Sequence, residues 1–132
     1  MNTSKSKWIP VVLYSILILY ITIFSRTPGS ERIVKGLFWE VQVGYWRDIL
    51  LNILLFLPLG FLFGVCFKNW KAVLLGFLLS ALIELTQYVF FLGYCEADDV
   101  LNNVIGTAVG FGIHHLFSVL VKKWKNKRVV KA

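Results

Sequence analysis

Four apolar runs with short polar breaks between them set the layout of this chain. They cover residues 8–24, 49–67, 72–92 and 100–121, and Glu84 is the one Asp, Glu, Lys or Arg inside them. A helix rises 1.5 Å per residue, so about 20 apolar residues cross the hydrocarbon core of a bilayer. The pattern predicts an all-α, polytopic membrane protein with four transmembrane helices in one domain over residues 1–132. The first run is slightly short. Lys5 and Lys7 precede it as in a secretory signal, but Ser25, Arg26, Thr27 and Pro28 offer no small-residue cleavage site, so it reads as an uncleaved span. Pro58 and Gly60 interrupt the second run. A membrane helix tolerates proline where a neighbouring helix re-satisfies the freed carbonyl. Residues 68–71 join the second and third runs, which imposes a tight antiparallel hairpin.

The polar breaks differ in character. In residues 25–46, Ile33, Val34, Leu37, Phe38 and Val41 recur at helical spacing, which suits a helix lying in the interface. The alternation over residues 39–43 suits an extended segment equally well, and the sequence leaves both open. Trp39, Tyr45 and Trp46 form an aromatic belt of the kind found at membrane surfaces. Residues 93–99 are a short acidic turn, and residues 122–132 are a basic tail.

Composition agrees with the spans. The chain is 58% hydrophobic with mean hydropathy +0.71, against roughly 45–50% apolar content in soluble domains. The net charge of +7 raises nucleic acid as a partner, and the placement of the charges argues against it. Four spans put both termini on one side. Lys5, Lys7, Lys68, Lys71 and six tail residues lie there, ten of the 14 basic residues, while Arg26, Arg32, Lys35 and Arg47 lie on the other. The positive-inside rule then places both termini in the cytoplasm of a multi-pass cell-membrane protein. Acidic residues agree, since none falls on the terminal side. The tail reads as a topology signal that also attracts anionic membrane lipids, at ~1 kcal/mol per charge near the surface. Cys66 and Cys95 fall at opposite membrane faces and cannot form a disulfide, whose Cα atoms must lie within about 7 Å. No metal-ligand spacing or phosphate loop is present, and no metal or cofactor is expected. His114 and His115, in the inner half of the fourth run, read as packing or interfacial residues because adjacent rings on a helix point apart.

Candidate chemistry lies in the polar residues of the spans. Glu84 sits about 12 Å from the outer end of the third run at 1.5 Å per residue, with Gln87 and Tyr88 on the same helix face. On the fourth run Asp99, Asn102, Asn103, Gly106 and Gly110 share one face, and the two glycines form a small-xxx-small pattern that lets backbones approach closely. Asp48 and Asn52 share a face of the second, with Arg47 at the interface. Ionisable groups are expensive in a bilayer and mark functional sites by default. The three stripes converge in the outer half of the membrane, which predicts one outward-facing polar pocket. Its candidate ligand-binding residues are Arg47, Asp48, Asn52, Glu84, Gln87, Asp98, Asp99, Asn102 and Asn103. Interhelical hydrogen bonding is the competing role for Glu84, Gln87, Asn52 and Asn103, and a Glu84–Arg47 pair is one available arrangement.

Three blocks of these residues resemble the VanZ-like family of small membrane proteins. Residues 47–60 look like its N-x-x-x-F-x-P-x-G stretch with an upstream Arg, Glu84 to Gln87 resemble its E-x-x-Q, and residues 96–106 resemble its acidic turn followed by N-x-x-G. Glu96 stands where the family often has Asp, and Gly93 where many members carry an Arg. The resemblance covers about half the chain, residues 47–110. It implies a polytopic membrane protein with a link to resistance against teicoplanin, a lipoglycopeptide acting at the cell wall. The expected partners are membrane lipids and a lipoglycopeptide or lipid-linked cell-wall precursor. Two other readings stand beside it. One is a proton-coupled multidrug exporter using Glu84, although the first span, where such exporters usually carry their carboxylate, has no charge. The other is an intramembrane lipid-modifying enzyme using Glu84, Asp98 and Asp99 as acid/base or metal-binding groups.

Overall fold

The structure, a computed structural model, describes residues 6–29 and 33–129. Lys5, Glu31, Arg32 and Lys131, which enter the charge count above, lie outside the described residues. In chain order the elements are α1 (Trp8–Leu19), a π-helical turn (Tyr20–Phe24), β1 (Val34–Lys35), α2 (Trp39–Val43), α3 (Trp46–Cys66), α4 (Lys71–Val89), β2 (Cys95–Glu96) and α5 (Ala97–Val129). Three helices are long and apolar enough to cross a membrane, Trp46–Cys66, Lys71–Val89 and Ala97–Lys127, and a shorter apolar helix covers Trp8–Phe24. Leu50, Leu54, Leu82, Leu85 and Leu116 stand more than half exposed on their outer faces. Apolar surface on that scale belongs against lipid rather than water. The protein is a helical membrane protein.

The helix ends depart from the apolar runs for local reasons. α5 takes in Ala97, Asp98 and Asp99, so part of the acidic turn is the helix's first turn. Carboxylates there offset the positive end of the helix dipole. At its other end α5 continues through Lys122, Lys123, Lys125 and Lys127, so the basic tail is helical to Val129. α4 stops at Val89. Phe91 turns left-handed at φ 57°, and its carbonyl accepts the Gly29 N–H at 2.6 Å. Neither form left open for residues 25–46 falls where its spacing put it: the alternating residues 39–43 are helical, and Val34 of the helically spaced set is extended. Residues 34–35 are extended and pair in parallel with residues 95–96, while residues 39–43 are a helix. That helix ends at Gly44, whose φ of 81° favours a residue without a side chain.

Contacts fix the direction of each helix. Trp8 packs edge-on against Phe67 with ring centroids 5.3 Å apart, the Tyr14 hydroxyl donates to the Leu55 carbonyl at 2.9 Å, and Gln87 Nε2 donates to the Thr22 carbonyl at 2.9 Å. The four helices therefore alternate in direction. The start of α1, the α3–α4 connection and the end of α5 share one end with the described lysines other than Lys35, and the described acidic residues gather at the other with Lys35. Tyr14 also bonds close to Pro58. Proline leaves the carbonyl four residues before it, that of Leu54, without its helical donor, and the Tyr14 hydroxyl reaches the neighbouring Leu55 carbonyl.

The most extensive packing is between α3 and α5. A Cβ built on Gly60 would collide with the Thr107 backbone, one on Gly106 with the Ile53 carbonyl, and one on Gly110 with the Leu57 carbonyl. Glycines on both helices thus bring the two backbones together. Gly76 of α4 gives the same room to the Thr107 side chain. The enclosed core is small, with Ile18, Phe56, Leu59 and Ile83 its largest fully buried apolar side chains.

Two expectations follow. Ala in place of Gly in a helix gains up to about 1 kcal/mol of intrinsic propensity, whereas forcing a methyl into a filled interface costs about 1–3 kcal/mol. At Gly112 a Cβ meets nothing within 4 Å, so Gly112→Ala melts in detergent at or above the parent temperature. Gly110→Ala melts lower and Gly110→Leu lower still; equal melting of all three would place Gly110 against lipid. Cys66 and Cys95 are both free thiols at opposite ends of the bundle. Burial first, then the charges of Glu84, Asp99 and Glu96, push the Cys95 thiol pKa up, so labelling is best read at mildly alkaline pH. An impermeant thiol reagent applied to intact cells labels Cys95 and spares Cys66, and the reverse pattern would invert the topology.

Candidate functional site

The acidic end of the bundle is built from the start of α3, the end of α4, the start of α5 and the segment between α1 and α3. That segment is hung from α5. Asp98 accepts the Phe38 N–H at 2.5 Å through Oδ1 and the Glu40 N–H at 2.9 Å through Oδ2. The anchored turn holds Phe38 left-handed at φ 64°, a conformation an aromatic residue keeps only when its surroundings impose it. Asn102, one turn along α5, donates through Nδ2 to Glu40 Oε2 at 2.7 Å. Glu40, Asp98 and Asn102 are all buried. β1 adds a second attachment, because Lys35 Nζ lies 2.9 Å from Glu96 Oε1 and also over the rings of Tyr94 at 3.9 Å and Trp39 at 4.5 Å.

Beneath this segment is a cavity of ≈ 470 Å³ lined by Arg26, Glu40, Asp48, Leu51, Asn52, Gly93, Tyr94, Glu96 and Asp99. Its volume falls within the roughly 300–1,000 Å³ of small-molecule sites. Asn52 Nδ2 donates to Asp99 Oδ1 at 2.5 Å, which joins α3 to α5 across the cavity wall. Glu40, Glu96 and Asp99 each bring an oxygen within 4.8 Å of the other two. Such hard oxygen donors are the type that holds Mg²⁺ or Ca²⁺, and the fold assembles them although the sequence carries no metal-ligand spacing.

The candidate residues separate into groups. Asp48, Asn52 and Asp99 line the cavity. Glu84 is buried outside the lining and accepts the Glu96 N–H at 2.9 Å through Oε2. Gln87 binds α4 to the π-helical turn, where Ser25 N–H bonds back to Tyr20 and the Thr22 carbonyl is left for the Gln87 amide. Asn103 Nδ2 donates to Ser80 Oγ at 2.8 Å and ties α5 to α4. Gln87 and Asn103 are thus interhelical ties, each with a buried carbonyl oxygen lacking a hydrogen bond among the described residues. Asp98 and Asn102 hold the outer segment. Arg47 is exposed and lies outside the cavity lining. Among the described residues Glu84 forms no ion pair with Arg47. His114 packs edge-on against Phe61 at the far end, with centroids 5.3 Å apart.

Sequence reasoning missed Arg26 and Glu40. Arg26 entered only the outer-side charge count and the missing cleavage site, and Glu40 lay in a segment whose form the sequence left open. Glu40 is 2% exposed because of a bond to a residue 62 positions away, a contact no local pattern announces. The departure at Gly93 bears on Arg26: a Cβ there would come within 2.7 Å of Arg26 Nη1. The guanidinium lies over the Gly93 position.

Burial first, then the charges of Asp99, Glu96 and Asp98, push the Glu40 carboxyl up from its ordinary 4.5 to about 7, against the opposing Asn102 bond. The folded protein therefore holds this proton more tightly than the unfolded chain. Its stabilising contribution is full below about pH 4.5 and is lost as pH rises through about 7. The melting temperature falls across that window, and Glu40→Gln, which keeps an acceptor for Asn102, flattens the fall. A variant with the parent's full slope would show that another group titrates.

The VanZ/LLP1 family model matches residues 11–118, most of the chain. Protein VanZ of Enterococcus faecium is 30% identical over 95 residues, a match that covers 66% of this chain and 56% of that protein. This chain therefore spans little more than half the length of that curated relative. No solved structure matches it. With a family match over nearly all of the four-helix region and the acidic turn, Glu84 and the glycine-spaced α5 in their places, the chain belongs to the VanZ/LLP1 family.

Proposed function

We propose that this protein works at the outer face of the cell membrane, where its acid-lined cavity engages a lipid-tailed glycopeptide or a lipid-linked cell-wall component and contributes to glycopeptide resistance of the teicoplanin type. The observation that carries this reading is the 470 Å³ cavity itself, lined by Arg26, Glu40, Asp48, Asn52, Glu96 and Asp99. It lies at the end of the bundle opposite Lys7, Lys68, Lys71 and the tail lysines, the end that the positive-inside rule assigns to the outside. A molecule with its tail in the membrane and its polar part above reaches such a cavity without crossing the bilayer. Family membership supports the resistance link, and the cavity supplies a place for contact.

Susceptibility of cells with and without the protein tests this across lipoglycopeptides, a glycopeptide lacking the acyl tail, and cationic dyes. Protection confined to the lipoglycopeptides is the expected result; protection confined to dyes would favour an exporter. Two variants probe the carboxylates. Glu84→Gln keeps an acceptor for the Glu96 N–H, and Asp99→Asn keeps one for Asn52, so both retain the parent's melting temperature within a few degrees while protection is lost. Asn103→Ala, in contrast, cuts the tie to Ser80 and acts through stability, at about 0.6–1.7 kcal/mol for an interhelical bond in a membrane. Full protection by both carboxylate variants would sink the role given to this end of the bundle.

A further inference from the structure

We infer that the polar cavity and an apolar groove beside it form one binding site for a membrane lipid with a phosphoethanolamine-type headgroup: the chain in the groove, the phosphate on Arg26, the primary ammonium among the carboxylates. This rests on the cavity being a binding site and is independent of the resistance phenotype. The groove, ≈ 590 Å³, lies between the end of the first span and the end of α4, with Leu19, Ile23 and Phe24 on one side and Thr86, Phe90 and Leu92 on the other. Arg26 lines both spaces, and Leu92 of the groove is followed directly by Gly93 of the cavity. The two therefore meet at one guanidinium.

The order of chemistry along this path is apolar, then cationic, then acidic. A ligand that complements it reads tail, anion, cation. Arg26 has room for the anion. Its hydrogen bond in the structure is a 3.5 Å contact to the Leu92 carbonyl, which leaves most of a five-donor fork suited to phosphate oxygens. Beyond it Asp48, Glu96 and Asp99 line the cavity. A headgroup that is only anionic meets repulsion there, whereas an ammonium two carbons past the phosphate meets acceptors. Primary amine is favoured over quaternary for a specific reason. A quaternary ammonium is held by aromatic faces, and those nearby, Tyr94 and Trp39, already carry the Lys35 ammonium. What remains are carboxylate oxygens, which accept the three N–H donors of a primary ammonium.

Purified protein in detergent is tested by native mass spectrometry against lysophosphatidylethanolamine, lysophosphatidylcholine and lysophosphatidylglycerol of one chain length, and against free phosphoethanolamine. The ethanolamine lipid binds about ten-fold or more tighter than the other two, a difference of about 1.4 kcal/mol, and the free headgroup binds far more weakly than the lipid. Arg26→Gln and Asp48→Asn change exposed side chains, so folding does not hinge on them, and each reduces the preference. Equal binding of the three lipids, tighter binding of the glycerol lipid, equal binding of the free headgroup, or a preference that survives both substitutions would each overturn the inference. Lipid preference without protection in cells leaves the inference standing and removes the resistance reading; protection without lipid preference does the converse.

Discussion

Direct backbone contact between α3 and α5 is the constraint on which the other features depend. In lipid there is no hydrophobic force to draw helices together, so association relies on van der Waals contact and on polar groups that find each other. Gly60, Gly106 and Gly110 let the two helices touch along their carbonyls. Only at that separation does the short side chain of Asn52 reach Asp99. The same contact fixes the first two turns of α5, which hold Asp98 and Asn102 against the outer segment, Asp99 at the cavity and Asn103 against α4. Two turns of helix thereby serve all three together.

Polar residues in the bundle are costly, and their distribution shows how the cost is met. Ser80, Gln87, Asn103 and Thr107 bond across or along helices in the interior. Asp98 and Asn102 satisfy backbone and side chain of the segment above them. Asp48, Glu96 and Asp99 line the cavity with Arg26, Glu96 paired with Lys35 and Asp99 bonded to Asn52. A carboxylate used only to hold a fold would be surrounded by donors, as Asp98 is. Asp48 accepts no side-chain hydrogen bond among the described residues, which sets it apart from the interhelical ties more clearly than residue type does.

Much of this was legible in the sequence, for reasons that can be named. The spans were readable because lipid demands long apolar runs, and the close approach at Gly106 and Gly110 because small residues at a four-residue interval lie on one helix face. The convergence of Asp48, Asn52 and Asp99 followed from alternating helix direction and helical period. The segment over residues 25–46 was not readable. Its form is set by Asp98 and Asn102, which arrive from the last helix, and by a parallel pairing of residues 34–35 with residues 95–96. Local spacing carries no trace of those contacts, so Glu40 and Arg26 looked ordinary. Gln87 and Asn103 show the opposite difficulty, since period places them on the polar faces but does not tell an interhelical tie from a ligand contact.

That parallel pairing has a consequence for biogenesis. Two parallel strands require a long crossover between them, and here the crossover is α2, α3 and α4 together. Chains are made from the N-terminus, and domains assemble in that order during synthesis. When residues 33–43 first emerge, the partners that hold them from the far end of the chain, Tyr94 to Asn102, have yet to be made. Glu40 thus spends the interval as an ordinary solvated carboxylate and becomes a buried one only when the last helix enters. Closure of the cap is a late event that reports a finished bundle, and a chain halted before α5 displays an open, protease-accessible loop in place of the cavity roof.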